Sequence, residues 1–306
     1  MNLQSKNQMN LYGLEKNLDE LISLYDNKKL PNKILLSGQK GIGKCTLAYH
    51  LANYILSEDE EFAYDKKKFL INKDNRSYKL IQNGSNINFL LIDILSDKKN
   101  IDISQIRDLI LTLNKSSFNS KPRIVLIDNI EFLNINSVNA LLKILEEPND
   151  NIFFLLINNN KKILETLKSR CLNFNILLPH NLSLEVSNKL IERNIFEIIN
   201  KDLISYYFTP GQVYNLIQFS IKHKFDLLKL DLKDTILILI ENSFYKKEKF
   251  AKFFLYELIE LYFVKRTSLD NISFYNKFLK KIDNVKKFNL DEDSLFLEFK
   301  SKVLNG

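Results

Sequence analysis

Lys33-Ile34-Leu35-Leu36-Ser37-Gly38-Gln39-Lys40-Gly41-Ile42-Gly43-Lys44-Cys45-Thr46 runs from a short apolar segment into a cluster of glycines. The apolar centre of the first five residues, stopped by Gly38, predicts a short buried strand. A helix-like run over residues 45–55 follows at once. Between the two, three of the chain's seven glycines fall within six positions. Strand, glycine-rich turn and helix start are the context that a phosphate-binding loop requires. The glycines let the backbone curl so that its N–H groups face phosphate oxygens. The helix start adds partial positive charge, and Lys44 adds a point charge near the outer phosphates. The competing reading is a glycine-rich turn that has this spacing by chance. Gly38, Gly41, Gly43, Lys44, Cys45 and Thr46 are therefore the candidate nucleotide-binding residues.

The loop carries a defect. A working loop places Ser or Thr after the Lys, because that hydroxyl ligates magnesium. Here the position holds Cys45. A thiol is a soft ligand and magnesium is a hard ion that prefers oxygen. Thr46 comes one residue later, which turns its side chain about 100° round a helix. The expectation is a loop of degenerate type, with ATP or ADP held weakly at most, magnesium doubtful and no cofactor required.

Outward from the loop, strand-like and helix-like segments alternate. Phe89-Leu90-Leu91-Ile92-Asp93 predicts a second strand and Ile124-Val125-Leu126-Ile127-Asp128 a third, with a fourth over residues 152–157. Residues 103–114 carry a helical stripe at Ile103, Ile106, Leu109, Ile110 and Leu113. Residues 136–147 predict a helix ended by Pro148. Apolar strands without polar interruption predict a parallel sheet covered on both faces. Residues 58–88 are polar and without period, and are expected to be an insertion.

Past Pro179 the strand signal fades. Helices are expected over 184–199, 201–208, 234–241, 246–265, 273–287 and 291–304, with Thr209-Pro210-Gly211 as a break between two of them. Residues 212–305 contain neither Gly nor Pro, which suits a compact helical region.

Asp128 ends its strand beside the loop, where an acid could hold a metal through water. An active ATPase of this type follows it with Glu, which polarises the attacking water. Here the next residue is Asn129, and an amide takes no proton from water at neutral pH. Glu131 is close in sequence but is expected to point elsewhere. A plain buried strand that happens to end in Asp is the competing reading of Asp128.

The chain has 306 residues, enough for two or three domains, with 45% hydrophobic and 26% charged residues. Its net charge of +7 tilts mildly toward a polyanionic partner. The abundance of Lys, Asn, Ile and Phe suggests codon bias as another source of that charge. The two cysteines, Cys45 and Cys171, form no Cys-x-x-Cys pair, so neither a disulfide framework nor a zinc site is expected. Neither an apolar leader nor an apolar run of ~18 residues is present, so the expected setting is cytoplasmic, with no membrane partner.

Asn139-Ala140-Leu141-Leu142-Lys143-Ile144-Leu145-Glu146-Glu147-Pro148 resembles the N-A-L-L-K-x-L-E-E-P motif of bacterial clamp-loader subunits. Ser169-Arg170-Cys171 is similar to their S-R-C motif, and Leu11-Tyr12-Gly13 with Leu30-Pro31-Asn32 is similar to their lead-in to the loop. Together these cover roughly the first 180 residues. The chain thus resembles the AAA+ superfamily, and within it the delta-prime type of DNA polymerase III clamp-loader subunit.

That resemblance implies an α/β fold: an AAA+ P-loop parallel-sheet domain over residues 1–178, a small helical lid over 179–222 and an all-helical C-terminal collar over 223–306. It implies that Arg170 is an arginine finger acting in trans on a neighbour's nucleotide. A surface arginine capping a helix is the alternative. Asn158 resembles the polar sensor after the fourth strand, with the register open by a residue along Asn158-Asn159-Asn160. An ordinary polar turn reads equally well. Thr209-Pro210-Gly211-Gln212-Val213 resembles the lid segment S-P-G-R-A, with Gln212 in place of its arginine sensor. Three positions for hydrolysis in cis are lost and the one for service in trans is kept, which implies a subunit that is not itself an active ATPase or polymerase. The implied partners are gamma/tau and delta subunits, with the sliding clamp and primed DNA reached through the complex. Lys40 and Lys143 are candidate anion contacts, or simply solvated surface charge. A catalytically active gamma/tau-like ATPase and an unrelated nucleotide-binding adaptor remain as alternatives.

Overall fold

The computed structural model describes residues 4–95, 98–115, 119–147, 151–205, 208–266, 272–288 and 290–304. Pro148, expected to end a helix, lies outside them. Five strands form the sheet: β1 Lys33–Ser37, β2 Phe89–Ile92, β3 Arg123–Ile127, β4 Ile152–Asn158 and β5 Leu172–Asn175. Their order is β2-β3-β4-β1-β5, and every pairing is parallel. Six helices accompany it: α1 Glu15–Asp26, α2 Lys44–Leu56, α3 Arg76–Gln82, α4 Ile103–Leu113, α5 Ile135–Glu146 and α6 Glu165–Lys168.

The uninterrupted apolar strands follow from burial on both faces. Ile34, Leu36, Ile124, Leu126, Leu155 and Ile157 pack on one side with Leu18, Leu47 and Leu51 of α1 and α2. Leu35, Val125, Ile127, Phe154 and Leu156 pack on the other with Ile106, Leu109, Leu141 and Leu145 of α4 and α5. The expected fold class, an α/β parallel sheet with a glycine loop after its first strand and helices following, is the one observed.

Two elements give no clear sign in the sequence. Helix α1 buries Leu18, Leu21 and Ile22 in a mainly polar segment. Strand β5 reads Leu-Asn-Phe-Asn and is mostly exposed, because it is an edge strand paired only with β1. Residues 58–88 contain α3 and are pinned by polar contacts. Asn53 Nδ2 donates to Asn75 Oδ1 (2.9 Å), Asn75 Nδ2 to the Phe62 carbonyl (2.8 Å) and Ser77 Oγ to Glu60 (2.6 Å). At the end of α4, buried Arg123 donates to the carbonyls of Thr112 (3.2 Å), Leu113 (2.9 Å) and Lys115 (2.8 Å). Its charge meets the negative end of the helix there.

Two compact units are present, residues 1–186 with 209–211, and residues 187–208 with 212–306. The expected lid, 179–222, falls across that boundary. The second unit is helical: α7 His180–Ile191 enters it, followed by α8 Pro210–His223, α9 Leu232–Glu241, α10 Phe244–Lys247, α11 Lys249–Arg266, α12 Ile272–Phe288 and α13 Glu292–Phe299. Phe254, Phe278, Phe296 and Phe299 fill its core. Local expectations change, and the helix expected over 184–199 ends at Ile191. In place of the expected helix over 201–208, the described residues there show a 3-10 turn, Lys201–Leu203, because the Asn200 side chain accepts the Asp202 N–H and turns the chain. Thr209-Pro210-Gly211, expected as a break between helices, stands at the start of α8, since proline suits the first helical position. Among the described residues no helix is long and apolar enough to cross a membrane.

Candidate functional site

The glycine loop joins β1 to α2 at the carboxyl end of the sheet, where parallel α/β folds place ligands. Gly41 and Gly43 have φ of 87° and 98°, a left-handed backbone that L side chains rarely adopt. The glycine loop lies against residues 209–211 of the same unit. The Gly211 N–H donates to the Gly41 carbonyl (2.9 Å) and Thr209 Oγ1 donates to the Lys40 carbonyl (3.0 Å). A Cβ on Gly211 would stand 2.7 Å from the Gly41 Cα, so this approach needs glycine on both sides.

Lys44 is 3% exposed. Its ammonium donates to the Gly38 carbonyl (2.8 Å), the Gln39 carbonyl (2.6 Å) and Asn159 Oδ1 (3.0 Å). An ammonium has three protons, and these three acceptors use them all. Burial lowers the Lys44 pKa to about 8, opposed by the carboxylates of Asp128 and Glu131.

Cys45 stands beside Asp128. Burial, and then the Asp128 carboxylate, push the thiol well above its usual range, so it is a neutral S–H group hydrogen-bonded to Asp128. Burial, and then Asp93, raise the Asp128 carboxyl, while Cys45, the Asn129 N–H and Lys44 work the other way. Thr46 is half-buried one position along α2.

Asn129 adopts a left-handed backbone, φ 57°, and its side chain turns to Asp93, donating to Oδ1 at 2.8 Å. Asn159 ties the group together. Its Nδ2 donates to Asn129 Oδ1 (3.0 Å) and Glu131 Oε1 (2.9 Å) while its Oδ1 accepts from Lys44. Within the asparagine run, whose register was open by a residue, it is Asn159 and not Asn158 that meets Lys44. Asn158 ends β4 and brackets the turn, donating to the Lys161 carbonyl (3.0 Å) and accepting the Lys161 N–H (3.2 Å). Asn159, one residue on, reaches the loop lysine. The expectation for Glu131 is corrected, because the 3-10 turn Ile130–Phe132 swings its carboxylate back to Asn159. Asp93 was also missed as a member of this group. Its signal was available, since Phe89 to Asp93 and Ile124 to Asp128 are both apolar strands ending in Asp, and adjacent parallel strands bring those ends together.

The residues present do not fit a magnesium nucleotide. The ligand position after Lys44 offers a neutral thiol already committed to Asp128, and the residue after Asp128 is an amide committed to Asp93. Gln212, within the second unit, donates to Glu257 of α11 at 2.6 Å.

Arg170 lies elsewhere. It follows α6 and precedes β5, so it sits at the amino end of the sheet, whereas the glycine loop leaves β1 at the carboxyl end. Leu172 pairs with Ile34 and Gly38 follows four residues later, which at ~3.3 Å per residue separates the two rims by on the order of 13 Å. The side chain is 35% exposed. Nε donates to Glu146 Oε1 (3.0 Å), Nη2 to the same oxygen (2.5 Å) and Nη1 to the Thr166 carbonyl (2.8 Å). Cys171 is half-buried, and burial pushes its thiol up to about 11. Lys40 and Lys143 are exposed.

A family model described as "DNA polymerase III, delta subunit" matches residues 13–179, more than half of the chain. The chain belongs to that family of clamp-loader proteins. A DNA polymerase III subunit delta' of Buchnera aphidicola (Schizaphis graminum) is 29% identical over 89% of this chain and 85% of its own length. A subunit delta' of Pseudomonas aeruginosa is 32% identical over 47% of this chain and 43% of its own. A subunit gamma of the same Buchnera is 31% identical over 56% of this chain and 42% of its own, so those last two matches span under half of either relative. Among solved structures, a gamma-subunit-related protein of Thermotoga maritima aligns with 18% identity and a TM-score of 0.49, covering 91% of this chain and 96% of that one.

Proposed function

We propose that this chain is the delta-prime-type subunit of a DNA polymerase III clamp loader, and that it lends Arg170 in trans to the ATP site of a neighbouring gamma/tau-type subunit. The observation that carries the reading is the placement of Arg170. It is partly exposed at the sheet rim opposite the chain's own glycine loop, beyond the reach of any phosphate held there. A guanidinium so placed is available to another chain's triphosphate, where it would stabilise charge on the phosphoryl group in transfer; its bonds to Glu146 and to the Thr166 carbonyl equally fit a surface arginine capping α6. In its own pocket the neutral Cys45 thiol and the Asn129 amide stand where hydrolysis needs an oxygen ligand and a base. The chain itself then binds ATP or ADP weakly at most, without magnesium, and turns none over. The partners are gamma/tau and delta subunits, and the sliding clamp and primed DNA are met through the assembly.

The test is reconstitution with the gamma-type and delta subunits of the same genome. Arg170→Ala is expected to lower the clamp- and DNA-stimulated ATPase of the complex while the complex still assembles. Unchanged ATPase in an intact complex overturns the reading. One observation favours a second reading: Glu131 is held by the same Asn159 that touches Lys44, so it is placed where a substitute acid would be. Under that reading the isolated chain hydrolyses ATP and Glu131→Gln abolishes the turnover.

A further inference from the structure

We infer that Glu146 is a positioning residue for Arg170, holding the guanidinium with its terminal edge turned outward before the subunit meets its neighbour. This deepens the proposal that Arg170 serves a neighbour's triphosphate, and rests on it. A guanidinium has five N–H groups, one on Nε and two on each terminal nitrogen. Glu146 Oε1 takes the Nε proton and one from Nη2, and the Thr166 carbonyl takes one from Nη1. One N–H is left on each terminal nitrogen. Those two are the donors left to meet oxygens of a phosphoryl group.

The clamp has two arms of different kind. The carbonyl belongs to α6, whose carboxyl end precedes Arg170 by two residues. The carboxylate belongs to the last residue of α5, brought from 24 positions away in sequence. Glu146 is 56% exposed and Arg170 35%, and a pair so exposed contributes little to folding. Losing the carboxylate therefore leaves the chain folded. It frees a long side chain, with most of its rotamers, to leave the outward-facing pose. The conformational freedom lost on docking then rises, and the transition state of the neighbour's reaction bears it.

The experiment uses the assembled complex with Glu146→Ala, Glu146→Gln, Arg170→Ala and the Glu146→Ala/Arg170→Ala pair. Glu146→Ala is expected to lower the stimulated kcat about three- to tenfold, from the freed side-chain rotamers, with KM for ATP unchanged. Glu146→Gln keeps an oxygen that accepts from Nε and is expected to retain at least half of the activity. In the Arg170→Ala background, Glu146→Ala adds nothing. The thermal midpoint of the isolated Glu146→Ala chain stays within about 2 °C of the parent. Two results overturn the inference: Glu146→Ala leaves kcat unchanged while Arg170→Ala lowers it, or Glu146→Ala lowers kcat equally whether or not Arg170 is present. If Arg170→Ala itself has no effect, it is the finger role that fails, which is a separate outcome.

Discussion

His50 makes the stability of the first unit depend on pH. It lies on α2, the helix that Lys44 opens, and is fully buried. Its Nδ1 faces the Tyr64 hydroxyl at 2.8 Å, with the two rings edge to face. Burial lowers its pKa from 6.5 to about 4, partly offset by the backbone of Gln8. Above pH 6.5 the imidazole is neutral in both folded and unfolded chain, so it adds no pH dependence. Below 6.5 the unfolded chain takes up a proton that the folded chain refuses, and stability falls until the folded group also titrates near pH 4. The ratio of binding polynomials gives a loss of about 2 kcal/mol between pH 7.5 and pH 5, and of about 3 kcal/mol across the whole window. The perturbation is His50→Gln, which removes the titration at every pH. The assay is urea unfolding by circular dichroism at pH 7.5, 6 and 5 on both proteins, taking only the difference in pH slope, so that other titrating groups cancel. The chain has three histidines, so imidazole resonances followed by NMR identify His50 directly by its absence in the variant. Equal slopes for the two proteins, or a folded-state His50 that titrates above about pH 5.5, refute the reasoning.

Arg123→Met removes the cation that closes the carboxyl end of α4 and leaves the carbonyls of Thr112, Leu113 and Lys115 without it. A stability loss of about 2–4 kcal/mol is expected by urea unfolding, and a loss below about 0.5 kcal/mol contradicts the capping role. Cys45→Thr places an oxygen at the metal-ligand position, so magnesium-dependent ATP binding by calorimetry is expected to tighten at least about tenfold without turnover appearing, because Asn129 still offers no base. Equal affinity with and without magnesium in that variant refutes the assignment of position 45.

Much of the fold was legible because the strands are buried on both faces, and residues such as Ile124 to Ile127 have no polar interruption to confuse the pattern. Strand β5 escaped because an edge strand half in solvent needs no apolar run. The turn at Lys201–Leu203 escaped because one asparagine side chain, Asn200, outweighs a weak helical pattern. In the candidate site, the positions following strand ends could be read from spacing alone. What spacing could not supply was the aim of each side chain. A single-residue step along Asn158-Asn159 moves the amide from the turn to the lysine, and a left-handed Asn129 followed by a 3-10 turn brings Glu131 back toward the loop.

Lys44 has a structural reason to be present whether or not a nucleotide ever arrives. In a phosphate loop the ammonium answers phosphate oxygens. Here it answers two carbonyls of its own loop and Asn159, which in turn gathers Asn129 and Glu131. Without the cation the Gly38 and Gln39 carbonyls would lose that donor. The same loop is bonded to residues 209–211 through Gly41 and Lys40. A pocket with a thiol at position 45 and an amide at position 129 therefore still has a use for its lysine, because that residue ties the loop together, and the loop is bonded to residues 209–211. The proposed absence of hydrolysis and the presence of the loop are compatible for this reason: the first concerns chemistry at side-chain tips, while the second concerns the backbone that carries Cys45 and meets Thr209.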